Sequence, residues 1–163
     1  MEKKNLYIDF DGVILDTITP LYEEYQKQNI KDENRTEFYE NYPWQTIIDD
    51  KYIINNAIED IQEIIDSNKF NLSILTHVNS LNEAVLKVKY LRRYFKDITI
   101  IPVPKAISKT EMIHTHNSIL VDDYAGNLRE WKAAGGIGIR FNQEGKGKGF
   151  ETIKDLREII DMF

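Results

Sequence analysis

Apolar residues in this chain fall into short β-rich runs separated by longer stretches of helical periodicity. Leu6-Tyr7-Ile8, Leu72-Ser73-Ile74-Leu75-Thr76, Ile98 through Val103, Ile119-Leu120-Val121 and Ile137 through Phe141 have the length and the branched content of strands buried on both faces. Between them, Leu81 through Phe95 sets Leu81, Val85, Val88 and Leu91 on one helical stripe, which predicts a buried face there and an exposed face carrying Lys87, Arg92 and Arg93. Ser108 reads as the N-cap of a short helix through Ile113. A further helix runs from about Gly126 to Ala134, stopped by Gly135-Gly136, and a closing helix is expected over Glu151 to Met162. Strands alternating with helices imply a parallel sheet with right-handed crossovers, so the expected fold class is α/β, a three-layer doubly wound core.

One stretch breaks the alternation. From about Thr17 to Lys69 the chain is polar and mostly helical in pattern, with Pro20 near its first turn and Tyr42-Pro43-Trp44 interrupting it. This predicts a small helical cap, residues 17–69, inserted into a core formed by residues 1–16 and 70–163. Phe38, Tyr39, Tyr42 and Trp44 lie in the insertion, where they serve either its own packing or stacking against a planar ligand. Gly145-Lys146-Gly147-Lys148-Gly149 reads as a loop without the spacing of a phosphate-binding P-loop.

Composition narrows the function. The chain has 163 residues, 42% of them hydrophobic, which suits one folded domain with an insertion. It has no cysteine, and Met1-Glu2-Lys3-Lys4 leads straight into a strand, so the expected location is a reducing cytoplasm. A formal net charge of -6 opposes binding to a nucleic acid polymer or an anionic membrane, leaving a small molecule as the expected partner.

The candidate chemistry is acidic. Asp9 and Asp11 end the first apolar run and Asp122 and Asp123 end the fourth, and in open α/β sheets ligands gather outside the carboxyl ends of the strands. Carboxylates gathered from opposite ends of the chain repel, so a divalent cation, Mg2+ by the hardness of its oxygen ligands, or a raised pKa must compensate. Gly12 permits a tight turn and close approach of the backbone to an anion. Thr76 closes the second strand, where its hydroxyl could meet a phosphoryl oxygen. Lys109, just after the Ser108 cap, sits where a helix dipole disfavours a cation, which points to an anionic neighbour; Lys105 is the competing cation. His114-x-His116 reads as a surface turn and Trp131 as a packing residue.

In order, Asp9-Phe10-Asp11-Gly12-Val13, Thr76, a lysine and Asp122-Asp123 resemble the four motifs of the haloacid dehalogenase (HAD) superfamily of phosphohydrolases, over nearly the whole chain. The short chain and paired later aspartates are similar to the 5'(3')-deoxyribonucleotidase group and its small bacterial relatives. The resemblance implies a Rossmann-like core and hydrolysis of a small phosphomonoester, with a (deoxy)nucleoside monophosphate as the narrower expectation. It implies Asp9 as nucleophile, Asp11 as acid and base, Gly12, Thr76 and Lys109 at the substrate phosphate, and Mg2+ held by Asp9, the Asp11 carbonyl and Asp122 with Asp123 in support. The lysine departs from the usual Lys-Pro setting, since Pro102 and Pro104 precede Lys105 and no proline follows Lys109. The alternative reading is a phosphate-binding or phosphoacceptor signalling module without turnover. Receiver domains combine similar residues in another order, with the acidic pair first.

Overall fold

The computed structural model describes residues 2–163. Its centre is a six-stranded sheet, wholly parallel, in the order β3-β2-β1-β4-β5-β6. The strands are β1 (Lys4–Ile8), β2 (Phe70–Val78), β3 (Thr99–Pro104), β4 (Ile119–Asp122), β5 (Ile137–Phe141) and β6 (Glu151–Ile153). β1 lies centrally, pairing Ile8 with Ile74 of β2 on one side and with Val121 of β4 on the other. That register brings the carboxyl ends of β1 and β4 together. The strand order reverses there, the place where open α/β sheets form their crevice.

Alternation along the strands fills both faces. Leu6, Ile8, Ile74, Ile119 and Val121 enter the larger apolar cluster, with Ile61 and Ile64 of α3 (Ala57–Asp66) and Tyr90 and Leu91 of α4 (Leu81–Arg92). Leu75, Val103 and Leu120 face the other way, against Leu128 and Trp131 of α5 (Ala125–Ala133). The result is the expected three layers.

Three local expectations change. The first is at the C-terminal end, where a short sixth strand, a turn and the brief helix α6 (Ile159–Met162) replace one continuous helix over 151–162. The second is α4, which is rotated from the predicted stripe: Leu91 is buried as expected, but Leu81 is 82% exposed and Val85 41%, while Glu83, Ala84, Lys87 and Tyr90 are buried. The third lies between β1 and β2. There α1 (Ile18–Lys27), α2 (Arg35–Asn41) and several single turns stand over the strand ends, but α3 packs on the sheet as a crossover helix. The aromatic residues of this segment pack mainly on one another, with ring centroids 5.5 Å apart for Tyr25 and Phe38, 5.6 Å for Phe38 and Tyr42, and 5.3 Å for Tyr42 and Trp44. Leu86 of α4 joins their cluster and ties it to the core.

Candidate active site

β1 delivers Asp9 and, after a tight turn, Asp11; β4 delivers Asp122 and Asp123. In the turn the Val13 and Ile14 N–H groups both donate to the Phe10 carbonyl, and the Gly12 N–H donates to Leu15 O. Gly12 has φ +75, and a Cβ there would lie 2.3 Å from Asp123 Oδ2. Glycine is required on both counts, because L side chains avoid this backbone region and the Asp123 carboxylate lies where one would go.

The acids form two networks. In the first, carboxylate oxygens of Asp9, Asp122 and Asp123 lie within 4.8 Å of one another. The Lys109 ammonium donates to Asp9 Oδ1 and to Asp122 Oδ2, both at 2.8 Å. Asp122 also accepts from the Tyr124 N–H at 2.9 Å and the Asn127 amide at 3.0 Å. Burial, then repulsion from Asp122, pushes the Asp9 carboxyl up to about 7 against the pull of Lys109. Burial and the neighbouring Asp9 and Asp122 push Asp123 up to about 9. Burial alone would raise Asp122 too, but Lys109, the Tyr124 N–H and the Asn127 amide hold it below the usual carboxylate range. Lys109 follows the same logic: burial opposes its charge, and the two carboxylates outweigh burial and raise its pKa.

The second network centres on Asp11. Its Oδ1 accepts from the Thr17 hydroxyl at 2.6 Å, and its Oδ2 from the Lys87 ammonium at 2.7 Å. Lys87 is fully buried and also meets Glu83 Oε2 at 2.6 Å, Thr76 Oγ1 at 2.9 Å and the His77 carbonyl at 3.0 Å. The Phe10 ring lies 5.1 Å from its nitrogen.

Both networks border a cleft of about 350 Å³. Asp9, Asp11 and Asp123 line it, with Thr17, His77, Asn79, Glu83 and Lys105, and with Ile18, Tyr22, Tyr39 and Trp44 from the segment above. Asp122, Thr76 and Lys109 are almost fully buried behind it. Placement therefore differs from expectation in three respects. Asp123 opens on the cleft while Asp122 is held behind it by hydrogen bonds. Thr76 presents its hydroxyl to Lys87 rather than to open space. The two candidate lysines separate, Lys109 bridging the acids and Lys105 lying exposed at the rim. The predicted cap at Lys109 is present as a single turn, with the Ser108 side chain and Glu111 closing a capping box.

Sequence reasoning missed Thr17, Glu83 and Lys87. Leu15-Asp16-Thr17 follows the Asp9-Phe10-Asp11-Gly12-Val13 motif and strengthens it without giving Thr17 a role of its own, Glu83 carried no separate signal, and Lys87 was assigned to solvent. Its position one helical turn after Glu83 was the available clue, an i,i+4 pair on the face that also carries Ala84 and Leu91. Tyr22 and Tyr124 were also unmarked; both line the cleft although they are 60% and 62% exposed.

The donor set suits a hard divalent cation. It offers three carboxylates and, among the described residues, no nitrogen or sulfur ligand; two of the three are hindered from ionising by burial and mutual repulsion that a cation would relieve.

No protein-family model matches the chain, and no curated protein matches it in sequence. Solved structures do. A hydrolase from Pseudomonas syringae matches with a TM-score of 0.68 at 14% identity, covering 98% of this chain and 97% of that one. A HAD hydrolase of family IA, variant 3, from Entamoeba histolytica matches with a TM-score of 0.62 at 16% identity, covering 97% and 99%. A D,D-heptose 1,7-bisphosphate phosphatase from B. bronchiseptica, in complex with magnesium and phosphate, matches with a TM-score of 0.58 at 12% identity, covering 98% and 97%. Dehalogenases are among the matching structures as well. The chain thus shares the fold of these HAD hydrolases over nearly all of its described residues.

Proposed function

We propose that this chain, with its HAD hydrolase fold, is a magnesium-dependent phosphatase acting on a small phosphomonoester through an aspartyl-phosphate. The observation that carries the reading is the buried set Asp9, Asp122 and Asp123 at the strand ends, with Asp11 on the same cleft. In this reading a carboxylate oxygen of Asp9 attacks phosphorus, the bond from phosphorus to the ester oxygen breaks, and the departing oxygen takes a proton from Asp11. Water then attacks phosphorus and gives a proton to Asp11, the bond to Asp9 breaks, and inorganic phosphate leaves. Asp9, Asp122 and Asp123, with the Asp11 carbonyl, would hold Mg2+, which when bound neutralises the carboxylates and the phosphoryl charge. Lys109 supports the ionised form of Asp9, the form that can attack.

Proton donation separates this chemistry from dehalogenation on the same fold. An alkoxide leaving group needs a proton to depart at neutral pH, whereas a halide leaves as the anion. Asp11, two residues from the nucleophile and on the same cleft, meets the first requirement. The residues from Thr17 to about Tyr52 act as a cap that selects the leaving group, with Lys105 as the lysine at the rim and Tyr22 and Tyr124 as aromatic surfaces for a planar one. A (deoxy)nucleoside monophosphate fits that description. No helix among the described residues is long and apolar enough to cross a membrane, and the lack of cysteine suits a reducing compartment.

The test is phosphate release from a panel of nucleoside monophosphates and sugar phosphates, with Mg2+ or chelator, comparing wild type with Asp9→Asn. Metal-dependent release that Asp9→Asn abolishes is expected. An intact Mg2+-binding protein that releases no phosphate from any member would instead be a phosphate-binding or phosphoacceptor module.

A further inference from the structure

We infer that Lys87 is a positioning residue for the acid–base step, fixing Asp11 and the Thr76 hydroxyl together from behind the cleft. The inference rests on the phosphatase reading and adds to it a residue that the four resembling motifs do not contain.

Lys87 reaches Asp11 across 76 positions of sequence, and its side chain is 0% exposed. A buried ammonium is tolerated only where its donors are matched, and here carboxylate and hydroxyl oxygens surround it. Carboxylate oxygens of Asp11 at 2.7 Å and Glu83 at 2.6 Å hold the ammonium in place from two sides. Glu83 is itself fixed by the Asn79 N–H at 2.7 Å and the Asn79 amide at 2.9 Å, while the Ser80 hydroxyl caps α4 through the Glu83 N–H at 3.1 Å. The chain of contacts runs from the capped end of α4 through Glu83 and Lys87 to Asp11 Oδ2. Asp11 Oδ1 is left to Thr17, which, like Asp11, lines the cleft.

At Thr76, Lys87 occupies an acceptor site on the hydroxyl, so the hydroxyl's own proton must point elsewhere. Its protein acceptor is the His77 carbonyl at a long 3.3 Å. One ammonium thereby sets the rotamer of the acid and the direction of a donor beside it.

The experiment uses two phosphomonoesters that differ in their need for an acid: p-nitrophenyl phosphate, whose phenolate leaves without a proton, and an alkyl phosphate, whose alkoxide does not. Lys87→Met leaves Glu83 unpaired, so it is accompanied by Glu83→Gln/Lys87→Met, which keeps the net charge of the Asp11–Glu83–Lys87 group unchanged and protects folding. Circular dichroism checks the fold. The expected result is a loss of kcat at least tenfold greater on the alkyl phosphate than on p-nitrophenyl phosphate. On the aryl ester a burst of nitrophenolate is also expected, because water attack on the aspartyl-phosphate needs Asp11 as base. Equal losses on the two esters with no burst, from a folded double variant and an active wild type, overturn the positioning role alone. Failure of the double variant to fold overturns it too, since Lys87 would then be structural. A wild type inactive on both esters and on every nucleoside monophosphate and sugar phosphate of the panel removes the phosphatase reading and this inference with it.

Discussion

Gly12 is where backbone conformation and charge placement coincide. The turn that carries Asp11 back over the strand end needs φ +75 there, and the space a side chain would take is filled by Asp123. Gly12→Ala is expected to lower the melting temperature and, by displacing the Asp123 carboxylate, to weaken Mg2+ binding at least tenfold by calorimetry. Unchanged binding would mean that Asp123 does not contribute to the metal site. The lysines make a second residue-scale contrast. Lys109 and Lys87 are both buried and each bridges two carboxylates, whereas Lys105 lies exposed at the rim. Lys105→Ala should therefore raise KM for an anionic substrate with little change in kcat or stability, and loss of fold instead would contradict its placement.

α4 shows how a helix can carry two competing faces. Leu81, Val85, Val88 and Leu91 form an apolar stripe, but of these only Leu91 is fully buried, and the face turned inward carries Ala84 and Lys87 beside it, because the ion pairs of Lys87 offset the cost of burying its charge. The consequence is measurable by denaturant unfolding. Leu81→Ser should change stability by less than about 0.5 kcal/mol, as an exposed site does. Leu91→Ala, at a fully buried position, should destabilise by about 2–5 kcal/mol. A loss at Leu81 as large as that at Leu91 would restore the stripe read from periodicity. Helix α1 begins at the residue after Thr17, whose hydroxyl holds Asp11. If the cap closes on substrate, hydrogen exchange of residues 17–27 should slow in Mg2+ with orthovanadate, and unchanged protection would argue for a cap that stays in place.

At the scale of the molecule, ionising Asp9 and Asp123 opposes folding. Burial and mutual repulsion push Asp9 up to about 7 and Asp123 up to about 9 in the folded chain, against ~4 for an ordinary aspartate. For carboxyls raised in this way, stability is fully present below ~4 and is lost as pH rises through the folded values, because the unfolded chain gives up its protons first. In the proposed function Mg2+ would bind the ionised folded form and offset that loss. The increase in melting temperature on adding Mg2+ should thus be larger at pH 8 than at pH 5.5, by differential scanning calorimetry. An increase independent of pH would place the metal elsewhere.

The apolar runs of β1 to β5 and the acids at the ends of β1 and β4 are local facts, since a strand buried on both faces requires such a run and a crevice follows from the parallel order that alternation implies. That is why Asp9, Asp11, Asp122 and Asp123 were legible in the chain before any contact was known. β6 was not, because three residues carry too few positions to show a period of two. Nor were Lys87 and the division of Asp122 from Asp123. Their roles depend on partners far away in sequence: Asp11 for Lys87, Lys109 for Asp122. Only packing brings those charges together, and a buried charge with matched partners has no signature in a pattern of apolar and polar letters.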